Sequence, residues 1–258
     1  ETRLGSAARG AQAARARRTA SAVMTGDPGR DIARAEAALE VRRPEVAKQL
    51  LAPVIAADPG DGWALALLAE AARQLEDDEG ARILVHRAAR AAPDDQAVLF
   101  LCGSVAQDLG DFDDSRTWIE RGLALDPSST YGRNLLAITL LEVGDPDRAR
   151  SHVTAALVSD PGDPALLTTL GVTAEMQGRS ASAMVPWVRA LQIAPDIPPL
   201  LANVALVRFE SGDLRRGSRL LTAAIALDPR WSAARSLVRG AGVWSRRELE
   251  GRFAMVVL

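Results

Sequence analysis

Apolar residues recur at helical spacing along most of this chain, and residues 164–195 show the pattern most clearly. Two runs of apolar positions share one helix face each, Leu167, Leu170 and Ala174 and then Ala183, Trp187 and Ala190. Gly178 separates the runs, and glycine readily takes the left-handed conformation that ends a helix. Pro195 stops the second run. The segment predicts a helical hairpin with Trp187 in the packing between its helices.

The same pattern returns every 34 residues along the chain. Prolines with this spacing are Pro59, Pro93, Pro127, Pro161, Pro195 and Pro229. A second series with the same spacing consists of Gly110, Gly144, Gly178 and Gly212, and Glu76 takes the glycine position one repeat earlier. Because the two series agree and the apolar positions fall in phase between them, the chain is built of repeats.

These phased residues resemble the tetratricopeptide repeat family, whose unit is a helical hairpin of about 34 residues. The resemblance covers roughly residues 30–250 and implies an all-α fold, a right-handed α-solenoid of tandem helix–turn–helix hairpins. It places six repeats in residues 30–229, with approximate bounds 30–61, 62–95, 96–129, 130–163, 164–197 and 198–231. A capping helix at 230–250 is expected to follow them.

Some positions depart from the repeat pattern. Pro53 and Pro186 fall inside predicted second helices, where proline should bend the helix or end it early. Gly122 stands where the family favours alanine, which should cost about 1 kcal/mol in a helix. Cys102, at a core position, is expected to be a buried small apolar residue.

The two ends lie outside the repeats. Residues 1–29 are rich in arginine and alanine and are expected to be flexible. Residues 251–258 are mostly apolar and follow Arg246 and Arg247, as basic residues precede a membrane segment on its cytoplasmic side. Two interpretations of residues 251–258 have equal support. One is the start of a truncated membrane segment, and the other is an amphipathic continuation that packs on the cap.

The residue inventory argues against an enzyme. His86 and His152 are the only histidines and Lys48 is the only lysine. No catalytic, metal-binding or cofactor-binding motif is present, so no such site is predicted. The single cysteine excludes an internal disulfide, which is compatible with a cytoplasmic location, including the cytoplasmic face of a membrane. The repeats are net acidic, which disfavours nucleic acid as a partner. The oligomeric state is left open.

In this family the first helices of the hairpins line a concave groove that holds a peptide or helix of a partner protein. By that resemblance, residues opposite the packing face are candidates for partner binding. They are Trp63, Leu67, Glu70, Arg73, Phe100, Ser104, Gln107, Tyr131, Asn134, Ile138, Thr168, Val172, Glu175, Asn203, Leu206 and Phe209. The alternative is that some of them pack between neighbouring first helices.

Several of these candidates are apolar or aromatic, which favours an apolar helix or extended peptide as the ligand. Trp63, Phe100, Tyr131 and Phe209 are the expected anchors. The family's carboxylate-clamp subgroup uses lysine and asparagine in the groove. Here Asn134 and Asn203 are present, but Arg73 is the only cation among the candidates, so that clamp is not predicted.

The leading hypothesis is a non-enzymatic scaffold for protein–protein interaction. Two alternatives stay open. The chain could be the cytosolic domain of a membrane-anchored assembly protein, as the apolar end suggests. It could also be the adaptor region of a larger enzyme.

Overall fold

The computed structural model describes residues 27–227, and every regular element within that range is an α-helix. The helices are α1 (Pro28–Glu40), α2 (Pro44–Ala57), α3 (Gly62–Gln74), α4 (Asp78–Ala91), α5 (Gln96–Asp108), α6 (Phe112–Leu125), α7 (Thr130–Glu142), α8 (Pro146–Ser159), α9 (Pro164–Met176), α10 (Ser180–Ile193), α11 (Pro198–Glu210) and α12 (Leu214–Leu227). The predicted all-α fold of tandem helical hairpins is confirmed.

The chain forms two compact units, residues 1–144 (unit 1) and 145–258 (unit 2). In unit 1, α1 pairs with α2, α3 with α4 and α5 with α6, and each second helix also packs on the next first helix. In unit 2, α9 pairs with α10 and α11 with α12, while α8 packs on α9 and α10 on α11. Each unit therefore buries its apolar faces between consecutive helices, as a repeat architecture requires.

One left-handed residue sets the turn inside the hairpins. The predicted turn glycines Gly110, Gly144, Gly178 and Gly212 have φ of 78°, 77°, 70° and 81°. Nothing lies within 4 Å of the place where their Cβ atoms would be, so glycine is favoured here by backbone conformation and not by crowding. Arg42 and Glu76 hold the same repeat position with φ of 56° and 62°. The turn is therefore kept even where its glycine is absent.

Replacing Glu76 by glycine should stabilise unit 1. A non-glycine residue in the left-handed region costs about 1–2 kcal/mol, and the greater freedom of glycine in the unfolded chain cancels part of the gain from removing that strain. We expect Glu76→Gly to raise the free energy of unfolding by about 0.5–1 kcal/mol in urea denaturation. Glu76→Ala is the matched control, because it removes the same carboxylate and keeps the strain. Equal stabilisation by both variants would assign the effect to charge.

Aspartate precedes four of the six second helices in residues 27–227 and caps three of them, while Asp111 before α6 makes no side-chain cap. Asp77, Asp145 and Asp213 each accept a hydrogen bond from a backbone N–H of the first turn, at 3.0, 3.1 and 3.2 Å. Such caps satisfy donors that a helix start otherwise leaves free. At the equivalent residue, α2 has Arg43 and α10 has Arg179, and neither makes a side-chain cap.

Both internal prolines lie within continuous helices. Helix α2 runs through Pro53 to Ala57, and α10 runs through Pro186 to Ile193. Of the two outcomes predicted for Pro53, the early end of the helix is therefore wrong, and the bend stays a prediction. A proline removes one backbone hydrogen bond, and the surrounding hairpin keeps the remaining turns in place.

The predicted terminal segments lie largely outside the described residues. Helix α1 begins at Pro28, capped by Asp27, so the first repeat starts slightly before residue 30. The capping helix at 230–250 and the apolar end at 251–258 fall beyond the described range, as do residues 1–26 of the arginine-rich segment.

Candidate functional site

The first helices of unit 1 lie beside one another. Helix α1 contacts α3, α3 contacts α5 and α5 contacts α7. Six of the predicted binding residues on these helices keep half-buried side chains and thus part of their surface. They are Trp63, Arg73, Gln107, Tyr131, Asn134 and Ile138. We call this set the unit 1 face.

A charged network centres on Glu70, which is buried on α3. Arg73 donates from Nε to Oε2 of Glu70 at 2.8 Å and from Nη2 to Oε1 at 2.6 Å. Gln74 Nε2 donates to Oε1 of the same carboxylate at 2.7 Å and to the Leu39 carbonyl at 3.3 Å. Asp108 Oδ2 lies 3.2 Å from Arg73 Nε. Paired charge-assisted hydrogen bonds of this kind fix side-chain orientation.

The surroundings keep Arg73 charged. Burial opposes the charge, but the hydrogen bond to Glu70 and the charges of Glu70, Asp108 and Asp78 outweigh it and raise the pKa of Arg73. This guanidinium is therefore a fixed positive group among carboxylates. The sequence prediction found Glu70 and Arg73 and missed Gln74 and Asp108.

Trp63 is held by a second acid. Its indole Nε1 donates to Oε1 of Glu36 at 2.7 Å, across from α3 to α1. Glu36 is one repeat before Glu70 and holds the same repeat position, so the 34-residue phase could have found it. That position reads Glu36, Glu70, Ser104, Ile138, Val172 and Leu206 along the chain. It is acidic at the start of unit 1 and apolar from α7 onward.

Two predicted aromatic anchors are core residues. Phe100 is 4% exposed, and its ring covers Gly122 and Gly132, where an added Cβ would lie 2.5 and 2.3 Å from ring atoms. Phe209 is also 4% exposed and covers Gly217 in the same way. The expectation that these rings face a partner is therefore corrected. Glycine fits opposite each ring because the ring occupies the space that a larger side chain would need.

Four more candidates are buried. Leu67 is 0% exposed, and Glu70, Ser104 and Asn203 are also buried. Burial removes Leu67, like Phe100 and Phe209, from the surface, so fewer apolar candidates stay accessible among the described residues than the sequence indicated. The alternative of packing between helices holds for these positions.

The unit 2 candidates Thr168, Val172, Glu175 and Leu206 are half-buried. Val172 packs on the cluster that contains Leu167 and Trp187, and the Thr168 carbonyl accepts a hydrogen bond from Trp187 Nε1 at 2.9 Å. Glu175 Oε1 accepts from Ser180 Oγ at 2.7 Å. Three of these four thus have structural contacts within the α9–α10 hairpin or with its neighbours.

Three buried acceptor atoms on first helices have no hydrogen-bond donor among the described residues. They are Oε1 of Gln74, Oδ1 of Asn134 and Oε2 of Glu175. For Gln74 the orientation of the amide is set, because Nε2 faces two acceptors. An unsatisfied buried acceptor costs about 1–3 kcal/mol.

Cys102 is buried as predicted, and its thiol lies 3.5 Å from the Val85 carbonyl. Burial raises the pKa of Cys102 to about 12, so the unreactive protonated form dominates at neutral pH. Within residues 27–227, no group of three or more His, Cys, Asp or Glu side chains is arranged to hold a metal ion. In the same range no helix has the length and apolar character needed to cross a membrane.

Family models decide the classification. A tetratricopeptide repeat model matches residues 38–102 and a second one matches residues 134–198, together about half of the chain. The chain belongs to the tetratricopeptide repeat family. This confirms the resemblance found in the phased prolines and glycines.

Solved structures of tetratricopeptide repeat proteins share the fold. One from Parabacteroides merdae aligns with a TM-score of 0.72 at 14% identity, covering 83% of this chain and 84% of that one. A thermophilic protein of Thermus thermophilus aligns with a TM-score of 0.63 at 18% identity, covering 71% of this chain and 100% of that one.

A third match is the Cut9–Hcn1 hetero-tetramer of the APC/C, with a TM-score of 0.68 at 18% identity. It covers 84% of this chain and 43% of that one. No curated protein matches the sequence significantly. At these identities the likeness concerns the fold. Tetratricopeptide repeat proteins are in general non-catalytic scaffolds for protein–protein interaction, and this chain has their architecture.

Proposed function

We propose that this tetratricopeptide repeat protein is a non-enzymatic scaffold that binds a segment of a partner protein on the unit 1 face. The observation that carries the proposal is the row of half-buried aromatic, aliphatic and polar side chains on adjacent first helices. Such side chains lose little further freedom on binding and still present surface to a ligand. A peptide or helix is the ligand that fits a row of parallel helices.

The chemistry of the partner follows from the charges around Arg73. Glu70 and Asp108 lie against the Arg73 guanidinium, and Glu36 holds the Trp63 indole, so carboxylates surround the α1–α5 part of the face. We therefore expect a basic residue of the partner near α3. Toward α7, Tyr131 and Ile138 offer apolar contact.

This ligand differs from the apolar helix or extended peptide favoured by the sequence. With Leu67 and Phe100 buried, the remaining surface combines charge with a few apolar side chains. Arg73 is already engaged by Glu70 and lies beside Asp108, so it does not serve as a free clamp for a terminal carboxylate. These contacts argue against a carboxylate clamp, and they change the expected ligand from an apolar segment to one that also carries charge.

Site-specific photo-crosslinking tests the proposed surface. Benzoylphenylalanine placed at Gln107 or Asn134 should capture the same partner protein, identified by mass spectrometry. The matched controls are the exposed positions Arg87 on α4 and Glu120 on α6, where we expect at least tenfold less of that partner. Equal capture at all four positions by folded proteins would overturn the assignment to the unit 1 face.

A charge variant gives a second measurement on the same surface. Asn134→Arg adds a cation and bulk to the α7 end of the face, so capture through Gln107 should fall about tenfold. Arg87→Glu on α4 changes charge away from the face and should leave capture unchanged. A partner that tolerates Asn134→Arg while the protein stays folded argues for another binding surface.

A cytoplasmic location also stands as a proposal, supported by a single cysteine that cannot form an internal disulfide. The acidic α1–α5 part of the face supports the exclusion of nucleic acid, because phosphate tracks need positive charge. Membrane association through residues 251–258 is one of the two interpretations of that segment, which lies outside the described residues.

A further inference from the structure

A cavity of about 120 Å³ lies in unit 2 between α8, α9 and α10. Its apolar wall consists of Leu170, Ala174 and Pro186, and the side chains of Arg150 and Arg179 also line it. Since a water molecule takes about 30 Å³ in the liquid, the space suits roughly four waters or a small organic group.

The two arginines of this cavity have no counter-ion among the described residues. Within residues 27–227, neither Arg150 nor Arg179 forms an ion pair with a carboxylate at a distance of 4 Å or less. Arg179 donates from Nη2 to Oε1 of Gln177, and Gln177 in turn donates from Nε2 to Oδ1 of Asp147. That acid is therefore bound to a neutral amide and does not pair with a guanidinium of the cavity.

Unit 1 provides an internal comparison. Two repeats earlier, Arg82 stands at the position of Arg150 and Asp111 at that of Arg179. There Arg82 Nε donates to Asp111 Oδ2 at 2.9 Å, and Nη2 donates to the Leu109 carbonyl at 3.2 Å. An ordinary ion pair in unit 1 thus corresponds to two like charges in unit 2. Two guanidinium groups that line one cavity repel each other unless an anion lies between them.

We propose that this cavity binds a carboxylate on a short aliphatic stem. The carboxylate accepts hydrogen bonds from Arg150 and Arg179, whose planar donors suit two oxygens of one group. The stem rests on Leu170, Ala174 and Pro186. This site is independent of the unit 1 face and of the partner proposed for it. Two kinds of ligand carry such a carboxylate, a free short-chain acid and a glutamate side chain of a bound protein.

The size and the wall favour this chemistry over a bare oxyanion. Inorganic phosphate would reach the arginines and leave the apolar wall without contact. A four-carbon acid such as butyrate fills both parts of the cavity. We therefore expect butyrate to bind at least tenfold more tightly than phosphate at equal ionic strength.

The test is titration of the full chain with sodium butyrate, followed by amide NMR shifts near Gln177 and Ser182, with sodium chloride keeping ionic strength constant. Arg179→Asp removes the second cation and introduces aspartate, the residue type that Asp145 and Asp213 provide at this repeat position. The variant should therefore fold at least as stably as the wild type. We expect this variant and Arg150→Gln to weaken butyrate binding at least tenfold.

Arg116→Gln is the matched control. Arg116 holds the repeat position of Arg150 one hairpin earlier, and it pairs with Asp113. Its replacement should leave butyrate affinity within twofold of the wild type. Equal loss in Arg116→Gln, or equal binding by wild type and Arg179→Asp, would overturn the proposal. Tighter binding of phosphate than of butyrate would do so as well.

A glutamate-containing tripeptide with blocked ends distinguishes the two kinds of ligand. Affinity at least tenfold above that of butyrate, lost in Arg179→Asp, supports a side chain of a protein ligand. Any lower affinity supports a free acid. Either result confirms the carboxylate cavity, provided that the variants respond as stated.

Discussion

Replacing Trp187 by alanine should lower the free energy of unfolding by about 3–5 kcal/mol, the usual cost of removing a large aromatic side chain from a core. Trp187 is 1% exposed and packs with Leu167, Ala183 and Leu200 in unit 2. Its Nε1 also donates to the Thr168 carbonyl at 2.9 Å. The variant leaves a cavity and an acceptor without its donor. Urea denaturation followed by circular dichroism measures the loss.

Gly171 supplies the control for this prediction. A Cβ at Gly171 would lie 2.1 Å from Trp187 Nε1, so Gly171→Ala alone should destabilise unit 2 by about 1–3 kcal/mol. In the Trp187→Ala background the clash is gone, and the same change should be neutral or stabilising because alanine favours the helix. Additive effects of the two substitutions would contradict direct packing of the indole on Gly171.

Replacing Phe100 by alanine should destabilise unit 1 by a similar amount, about 3–5 kcal/mol. Its ring fills the space above Gly122 and Gly132 and meets Tyr131 edge to face, with ring centroids 5.8 Å apart. The two glycines have no side chains with which to refill that volume. The measurement is again the unfolding free energy in urea.

The Phe100 variants also decide between packing and binding. Phe100→Leu keeps much of the volume and should cost less than Phe100→Ala. The partner captured at Gln107 should persist in every variant that stays folded. If Phe100→Ala kept the wild-type unfolding free energy and lost the partner, the ring would be a binding anchor after all.

The contrast between Trp187 and Phe100 shows what helical periodicity can and cannot predict. Trp187 was predicted as core because its position in phase faces the other helix of its own hairpin, a contact between residues close in sequence. Phe100 lies outside the predicted packing stripe of its helix, yet its ring covers both Gly122 on α6 and Gly132 on α7. Periodicity gives the direction of a side chain and says nothing of a third helix that covers it.

The candidate site also has one part that periodicity predicted and another part that it missed. The repeat phase placed Trp63, Arg73, Tyr131 and Asn134 on first helices, and the structure leaves them half-buried there. It could not show that Glu70 joins Arg73 in one network, because that network depends on rotamers and on the distance between α3 and its neighbours. The cavity near Arg179 was also missed. The 34-residue phase already contained its signal, an arginine where four of the other five hairpins have an aspartate.

By itself the sequence determined the repeat length, the helices and their turns, and the family. These depend on local preferences, such as the left-handed turn at Gly178, and on apolar faces buried within one hairpin. The tertiary structure alone decided which first-helix residues stay accessible and where charges meet without a partner. Burial and ion pairing depend on side chains from three helices at once, and the spacing along one chain does not encode their distances.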